Sequence, residues 1–180
     1  MTTQVALFRS LNVGGKNVIK MASLTALFVK NGAKNPRAYI QSGNILFESD
    51  DPEHVMQRVS KALREAHAID VPVTLRNASA LREALANNPF KQGESKLVLV
   101  MFLEEIVSKE AVARIDLQRS PPDAIHVQAE AREVYLHCPD GIAKTKYTNA
   151  YLDKVFGSPC TGRNVNTVEA ILALARTEAT

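Results

Sequence analysis

The chain has 180 residues, 46% of them hydrophobic and 23% charged, a globular make-up that excludes wholesale disorder and fibrous repeats. Lys and Arg number 22 against 19 Asp and Glu, so the formal charge of +3 cannot by itself argue for a nucleic-acid partner. Trp is absent and aromatics make up 6%, which points to an aliphatic core.

Val5–Leu11 is apolar and compact, as a strand with neighbours on both sides requires. It runs into Asn12-Val13-Gly14-Gly15-Lys16-Asn17, a loop by composition. Met21, Leu24, Leu27 and Phe28 then recur at helical spacing, and Asn31-Gly32 supplies a left-handed stop. Arg37–Gln41 and Asn44–Ser49 flank Ser42-Gly43 as the arms of a β-hairpin. Asp51-Pro52 reads as an N-cap with proline at the first helical position. Val55, Val59, Ala62, Leu63 and Ala66 form the apolar face that follows, and Pro72–Arg76 is the next strand. This βαββαβ order is the ferredoxin-like pattern.

A helix from Ser79 to Ala86 ends at Asn87-Asn88-Pro89, and the polar segment Phe90–Ser95 marks a boundary between a unit at 1–90 and a unit at 91–180. Leu97–Leu103 is a fully apolar strand, and Ser108 caps a helix running to Asp116. Ile125–Ala129 and Val134–Cys138 form a second hairpin. Tyr147, Tyr151 and Val155 mark a helix stopped by Gly157 and Pro159. The last helix opens at Asn166, with Glu169 completing a capping box and Val168, Ile171, Leu172 and Ala175 as its buried stripe. The fold class expected is α+β: two packed ferredoxin-like units with antiparallel sheets and a C-terminal helix.

Charge is unevenly spread. Residues 1–49 hold six Lys or Arg and one acid, residues 50–141 eleven and fifteen, and residues 142–180 five and three. Two basic ends brought together would add to a local positive field that the overall charge conceals. No apolar run approaches the roughly 20 residues that span a bilayer. Met1-Thr2-Thr3-Gln4 lacks the basic start of a secretory signal, so a cytoplasmic location and no membrane partner are expected. Cys138 and Cys160 are then free thiols. His126 and His137 lack a third ligand, so no metal site is assigned, no cofactor is expected, and no catalytic residue is identified.

Three strings carry candidate chemistry. Gly14 and Gly15 with Lys16 and Asn17 form a backbone nest for an anion, though neither G-x-x-x-x-G-K-[ST] nor G-x-G-x-x-G is present. Gln41, Ser42 and Asn44 crowd a tight turn. A ferredoxin-like unit is expected to hold that turn at the sheet end opposite the loop leaving its first strand. Lys146 and Arg163 stand just before helices, where unsatisfied N–H groups and the dipole favour an anion, and Asn164 and Asn166 accompany Arg163.

The runs RSLNVGGKNVIKMASL (Arg9–Leu24), YIQSGNILF (Tyr39–Phe47), NPF (Asn88–Phe90) and TGRNVNTVEAIL (Thr161–Leu172) resemble the bacterial domain of unknown function 1697 family, in the same order over nearly the whole chain. The resemblance implies an α+β fold with ferredoxin-like subdomains and no established activity. Its motif positions fall on Arg9, Asn12, Gly14, Gly15, Lys16, Gln41, Ser42, Gly43, Asn44, Arg163, Asn164, Asn166 and Thr167. Ser10-Leu11 stands where the pattern reads Gly-Ile, Gly162 where it reads Thr, and Val165 where it reads Trp, which weakens aromatic stacking there. The leading expectation is a small anionic, phosphate- or nucleotide-like ligand in a hollow shared by the Gly-Gly-Lys turn and the Arg163 string. The alternatives are a single-stranded nucleic-acid module using Phe8, Tyr39 and Phe47 on an open sheet, and a non-catalytic protein-interaction module.

Overall fold

The computed structural model describes residues 2–176. Its elements are β1 (Thr3–Phe8), α1 (Met21–Lys30), β2 (Lys34–Tyr39), β3 (Asn44–Glu48), α2 (Pro52–His67), β4 (Val73–Asn77), α3 (Ala78–Ala86), β5 (Val98–Leu103), α4 (Lys109–Ala113), β6 (Ala124–Val127), β7 (Glu133–His137), α5 (Asn149–Phe156), β8 (Cys160–Asn164) and α6 (Val165–Arg176). They form two four-stranded antiparallel sheets, ordered β2-β3-β1-β4 and β6-β7-β5-β8. The chain is α+β with a C-terminal helix. It divides into one compact unit of Met1–Leu81 with the chain from Ile171 on, and another of Arg82–Ala170. The sequence reading put that boundary after residue 90.

In the first unit Ala6 and Phe8 of β1, with Ile45 and Phe47 of β3, face α1 and α2, whose apolar stripes supply Leu24, Phe28, Val55, Val59 and Leu63. Aromatics hold the centre of this layer despite their scarcity: Phe28 meets Phe8 edge-on at 6.2 Å and Phe47 at 5.1 Å. Asp51 caps α2 by accepting from the His54 N–H at 3.1 Å, as Asp-Pro predicts. The hairpin begins earlier than expected. β2 starts at Lys34 because a register shift between Lys34 and Arg37, with Asn35 at φ +48°, lets the strand absorb Pro36.

In the second unit the side of the sheet facing α4 and α5 packs Met101, Leu103, Val134, Leu136 and Cys160 against Ala111, Tyr147 and Leu152. Ser108 caps α4 and Thr148 caps α5. Tyr147 precedes α5 rather than belonging to it, and its hydroxyl donates to the Asp116 carbonyl at 2.9 Å.

The expected helix start at Asn166 is corrected. Cys160–Asn164 is a strand paired with β5, and α6 begins at Val165 with Asn164 as the cap, its Oδ1 accepting from the Thr167 N–H at 2.9 Å. Asn166 is exposed. Cys-Thr-Gly-Arg-Asn has little strand propensity of its own. Pairing decides its state, and Gly162 fits because a Cβ there would stand 2.7 Å from Met101 Sδ. With β8, the second half has the full βαββαβ order of the first.

Cys138 and Cys160 are free and fully buried. Burial pushes the Cys138 thiol up to about 11, and the Cys160 thiol donates to Asp153 Oδ1 at 3.4 Å. At pH 8 a pKa near 11 leaves about one Cys138 thiolate per thousand, so the folded protein is expected to resist an aromatic disulfide reagent that titrates both thiols in denaturant. Rapid titration of either thiol without denaturant would contradict this burial.

Candidate loop site

One end of the first sheet carries nine of the sequence-predicted ligand residues. β1 runs antiparallel to β3, with Leu7 opposite Asn44, so the end of β1 stands beside the start of β3. The loop leaving β1 and the β2–β3 turn therefore meet, which corrects the expectation that they lie at opposite ends. The Phe8 N–H donates to the Gly43 carbonyl at 2.9 Å, and the Arg9 N–H to the Pro72 carbonyl at 2.9 Å.

Asn12 joins the two segments. Its Nδ2 donates to the carbonyls of Ile19 and Gln41, both at 2.9 Å, and its Oδ1 accepts from the Ile19 N–H at 2.7 Å. Asn17 closes the same loop by donating to the Ser10 carbonyl at 3.1 Å. Gly14 and Gly15, at φ +60° and +72°, are the central residues of a two-residue turn bridging Val13 and Lys16. The Lys16 N–H is spent on the Val13 carbonyl and the Asn12 N–H on the Asn17 carbonyl, so part of the expected nest is internal to this miniature hairpin. Its tip is open: a Cβ at either glycine would meet nothing within 4 Å.

The turn opposite is held from inside. Asn44 is fully buried, and its Nδ2 donates to the Tyr39 carbonyl and to Ser42 Oγ, both at 3.2 Å. Gln41 and Lys16 are exposed, Arg9 and Ser42 half-buried. Ser10, Asn12, Asn17 and Ile40 all have φ between +49° and +57°, and positive φ is costly for a β-branched residue such as Ile40.

Beyond this loop, the N-cap of α1 is Lys20, which makes no side-chain cap, and the first turn of the helix holds no acid. The other five α-helices each open on a capping side chain, from Asp51, Asn77, Ser108, Thr148 or Asn164. The first turn of α1 thus has no capping side chain and no acid, and exposed Lys20 and Lys16 precede it in the chain, an arrangement that favours an anion.

Lys146, Arg163, Asn164 and Asn166 stand in the second unit. There Lys146 is exposed before α5. Strand alternation puts Thr161 and Arg163 on the sheet face opposite that of Cys160 and Gly162, which pack toward the helices. Burial lowers the Arg163 pKa to about 10, and its Nη1 donates to the Gly162 carbonyl at 2.8 Å.

Arg163 has a counterpart that sequence reasoning missed. Thr74-Leu75-Arg76-Asn77 matches Thr161-Gly162-Arg163-Asn164: Val5 opposes Arg76 as Val100 opposes Arg163. Arg76 Nη1 donates to the Leu75 carbonyl at 2.9 Å, and Asn77 Oδ1 accepts from the Ala80 N–H at 2.8 Å, the same two contacts that Arg163 and Asn164 make. The spaced string Thr-x-Arg-Asn before each helix was the available signal.

Phe8 and Phe47 are buried in the aromatic cluster under the helices, so neither offers a stacking surface for a nucleobase. Among the described residues no helix is long and apolar enough to cross a membrane.

A family model described as "Protein of unknown function (DUF1697)" matches residues 1–135. No curated protein matches the sequence. Among solved structures, the chain is similar to the conserved bacterial protein SP0830 from Streptococcus pneumoniae. The TM-score is 0.72 and the identity 21%, over 98% of this chain and 99% of that one, a likeness that speaks for the fold alone.

Proposed function

Since the chain belongs to the DUF1697 family of proteins of unknown function, we propose that it binds a small anionic, phosphate-bearing ligand at the loop between β1 and α1. The observation that carries this reading is the uncapped, acid-free start of α1 beside Lys16 and Lys20. Lys16 and Lys20 attract the anion and the first-turn N–H groups of α1 donate to its oxygens. Asn12, Asn17 and Asn44 act one step back, holding the loop and the turn in the shape that presents those groups.

Comparison of the two units supports the same loop. Arg9–Lys20 links strand to helix with twelve residues where Glu104–Ser108 makes the equivalent link with five, so the fold itself does not require the longer connector. Calorimetric titration with pyrophosphate tests the proposal. The Lys16→Ala, Lys20→Ala double variant, altered only at exposed side chains, is expected to bind about tenfold more weakly, the loss of roughly 1.4 kcal/mol expected for charge-assisted contacts. Equal affinity of the two proteins would reject the site.

A second reading, a protein-interaction surface, draws on Val13, Val18 and Ile40. They are 55%, 67% and 52% exposed and surround the same loops.

A further inference from the structure

Within the second unit a groove of about 690 Å³ runs along α5, lined by Arg114, Arg119, Thr148, Tyr151, Lys154 and Val155 among others. Its volume suits a small organic ligand. Three of its walls are cationic. None of Arg114, Arg119 and Lys154 belongs to a salt bridge among the described residues, although Glu110, one turn back from Arg114, feels that charge.

Arg119 is held at two points. Its guanidinium lies 3.9 Å from the centre of the Tyr151 ring, and its Nε donates to the Lys146 carbonyl at 2.8 Å. Tyr151 is itself fixed, since its hydroxyl accepts from the Asp116 N–H at 3.0 Å. The guanidinium thus stands over the Tyr151 ring as a cation–π partner, and a planar guanidinium fixed in a groove can stack a further π-system. Arg114 anchors at the other end of the helix by donating from Nη2 to the Val155 carbonyl at 2.7 Å, and it lines the groove together with Lys154. Tyr151 and Val155 are one helical turn apart, roughly 6 Å, close to the separation of a nucleobase from its 5′-phosphate.

We propose that this groove binds a planar aromatic anion of mononucleotide size, its ring stacked on Arg119 and its phosphate held between Arg114 and Lys154. This site is independent of the loop before α1. Specificity comes from the division of labour: Arg119 reads the ring, and the other two cations read the charge.

Titration of the full chain with AMP, phenyl phosphate, ribose 5-phosphate and inorganic phosphate tests this. AMP and phenyl phosphate are expected to bind at least tenfold tighter than the two ringless phosphates. Arg119→Lys keeps the charge but loses the plane, and is expected to bring AMP down to the level of ribose 5-phosphate. Lys154→Ala, at an exposed position, is expected to weaken every phosphate by a similar factor of about five and to keep the preference for a ring. The Lys16→Ala, Lys20→Ala variant is expected to weaken pyrophosphate binding and to keep the preference for AMP over ribose 5-phosphate, which separates this site from the first. AMP bound no tighter than ribose 5-phosphate, unchanged AMP affinity in Arg119→Lys when the wild-type melting temperature is retained, or a short oligonucleotide bound tenfold tighter than AMP would each overturn the assignment.

Discussion

Asn12→Ala is expected to cost about 3–4 kcal/mol of stability, a fall in melting temperature of roughly 10 °C for a chain of this length. The side chain makes three hydrogen bonds, to the Ile19 carbonyl, the Ile19 N–H and the Gln41 carbonyl. Each contributes about 1 kcal/mol, and the part-buried partner groups would be left unpaired. The residue also sits at φ +54°, where Asn is tolerated and Ala costs about a further 1 kcal/mol. Thermal and chemical denaturation measure the loss, and a change below about 1 kcal/mol would mean that the loop and the turn are not tied through this amide. Asn12→Asp separates the contacts, because it keeps the acceptor for Ile19 and removes both donations. It is expected to recover only about a third of the hydrogen-bond contribution.

Gly43→Ala is expected to be as damaging for a different reason. Gly43 has φ +75°, and a Cβ there would stand 2.8 Å from the Phe8 Cβ and 3.1 Å from the Leu11 Cβ. Left-handed backbone costs about 1 kcal/mol for Ala, and forcing a methyl between two core Cβ atoms adds roughly 2 kcal/mol more, since neither atom is the free end of a flexible chain. Gly14→Ala is the internal control. With φ +60° and nothing within 4 Å, it is expected to cost only the backbone share, about 1 kcal/mol. Equal losses in the two variants, read from denaturant midpoints, would show that crowding at Phe8 plays no part.

Most of the frame was legible in the amino-acid order because apolar periodicity and punctuation agreed there. Asp51-Pro52 and Ser108 start their helices, and Leu97–Leu103 is spent almost wholly as β5. What escaped depends on partners distant in sequence. β8 exists through its pairing with β5, and the strand propensity of Cys-Thr-Gly-Arg-Asn does not announce it. The meeting of the β1–α1 loop with the β2–β3 turn follows from the antiparallel sense of β1 and β3. That sense was implied by the ferredoxin-like order, although the sequence reading put the turn at the opposite end of the sheet. In the loop site, the asparagines stood out in the sequence as polar groups. Only geometry shows that Asn12 and Asn44 spend their amides on backbone carbonyls and neighbouring groups. The groove along α5 was invisible for the same reason: Arg119 and Tyr151 are 32 positions apart, and nothing in their local strings pairs them.

The matching strand ends at Arg76-Asn77 and Arg163-Asn164 make this chain its own reference experiment. A side chain repeated in both halves answers first to architecture, as the two asparagines do by capping their helices alike. Lys16 has no opposite number, because the short connector at Glu104–Ser108 leaves no place for one. Mutational screens can therefore be scored by subtraction: whatever effect recurs in the two copies is upkeep, and the remainder is what the first half does for a living.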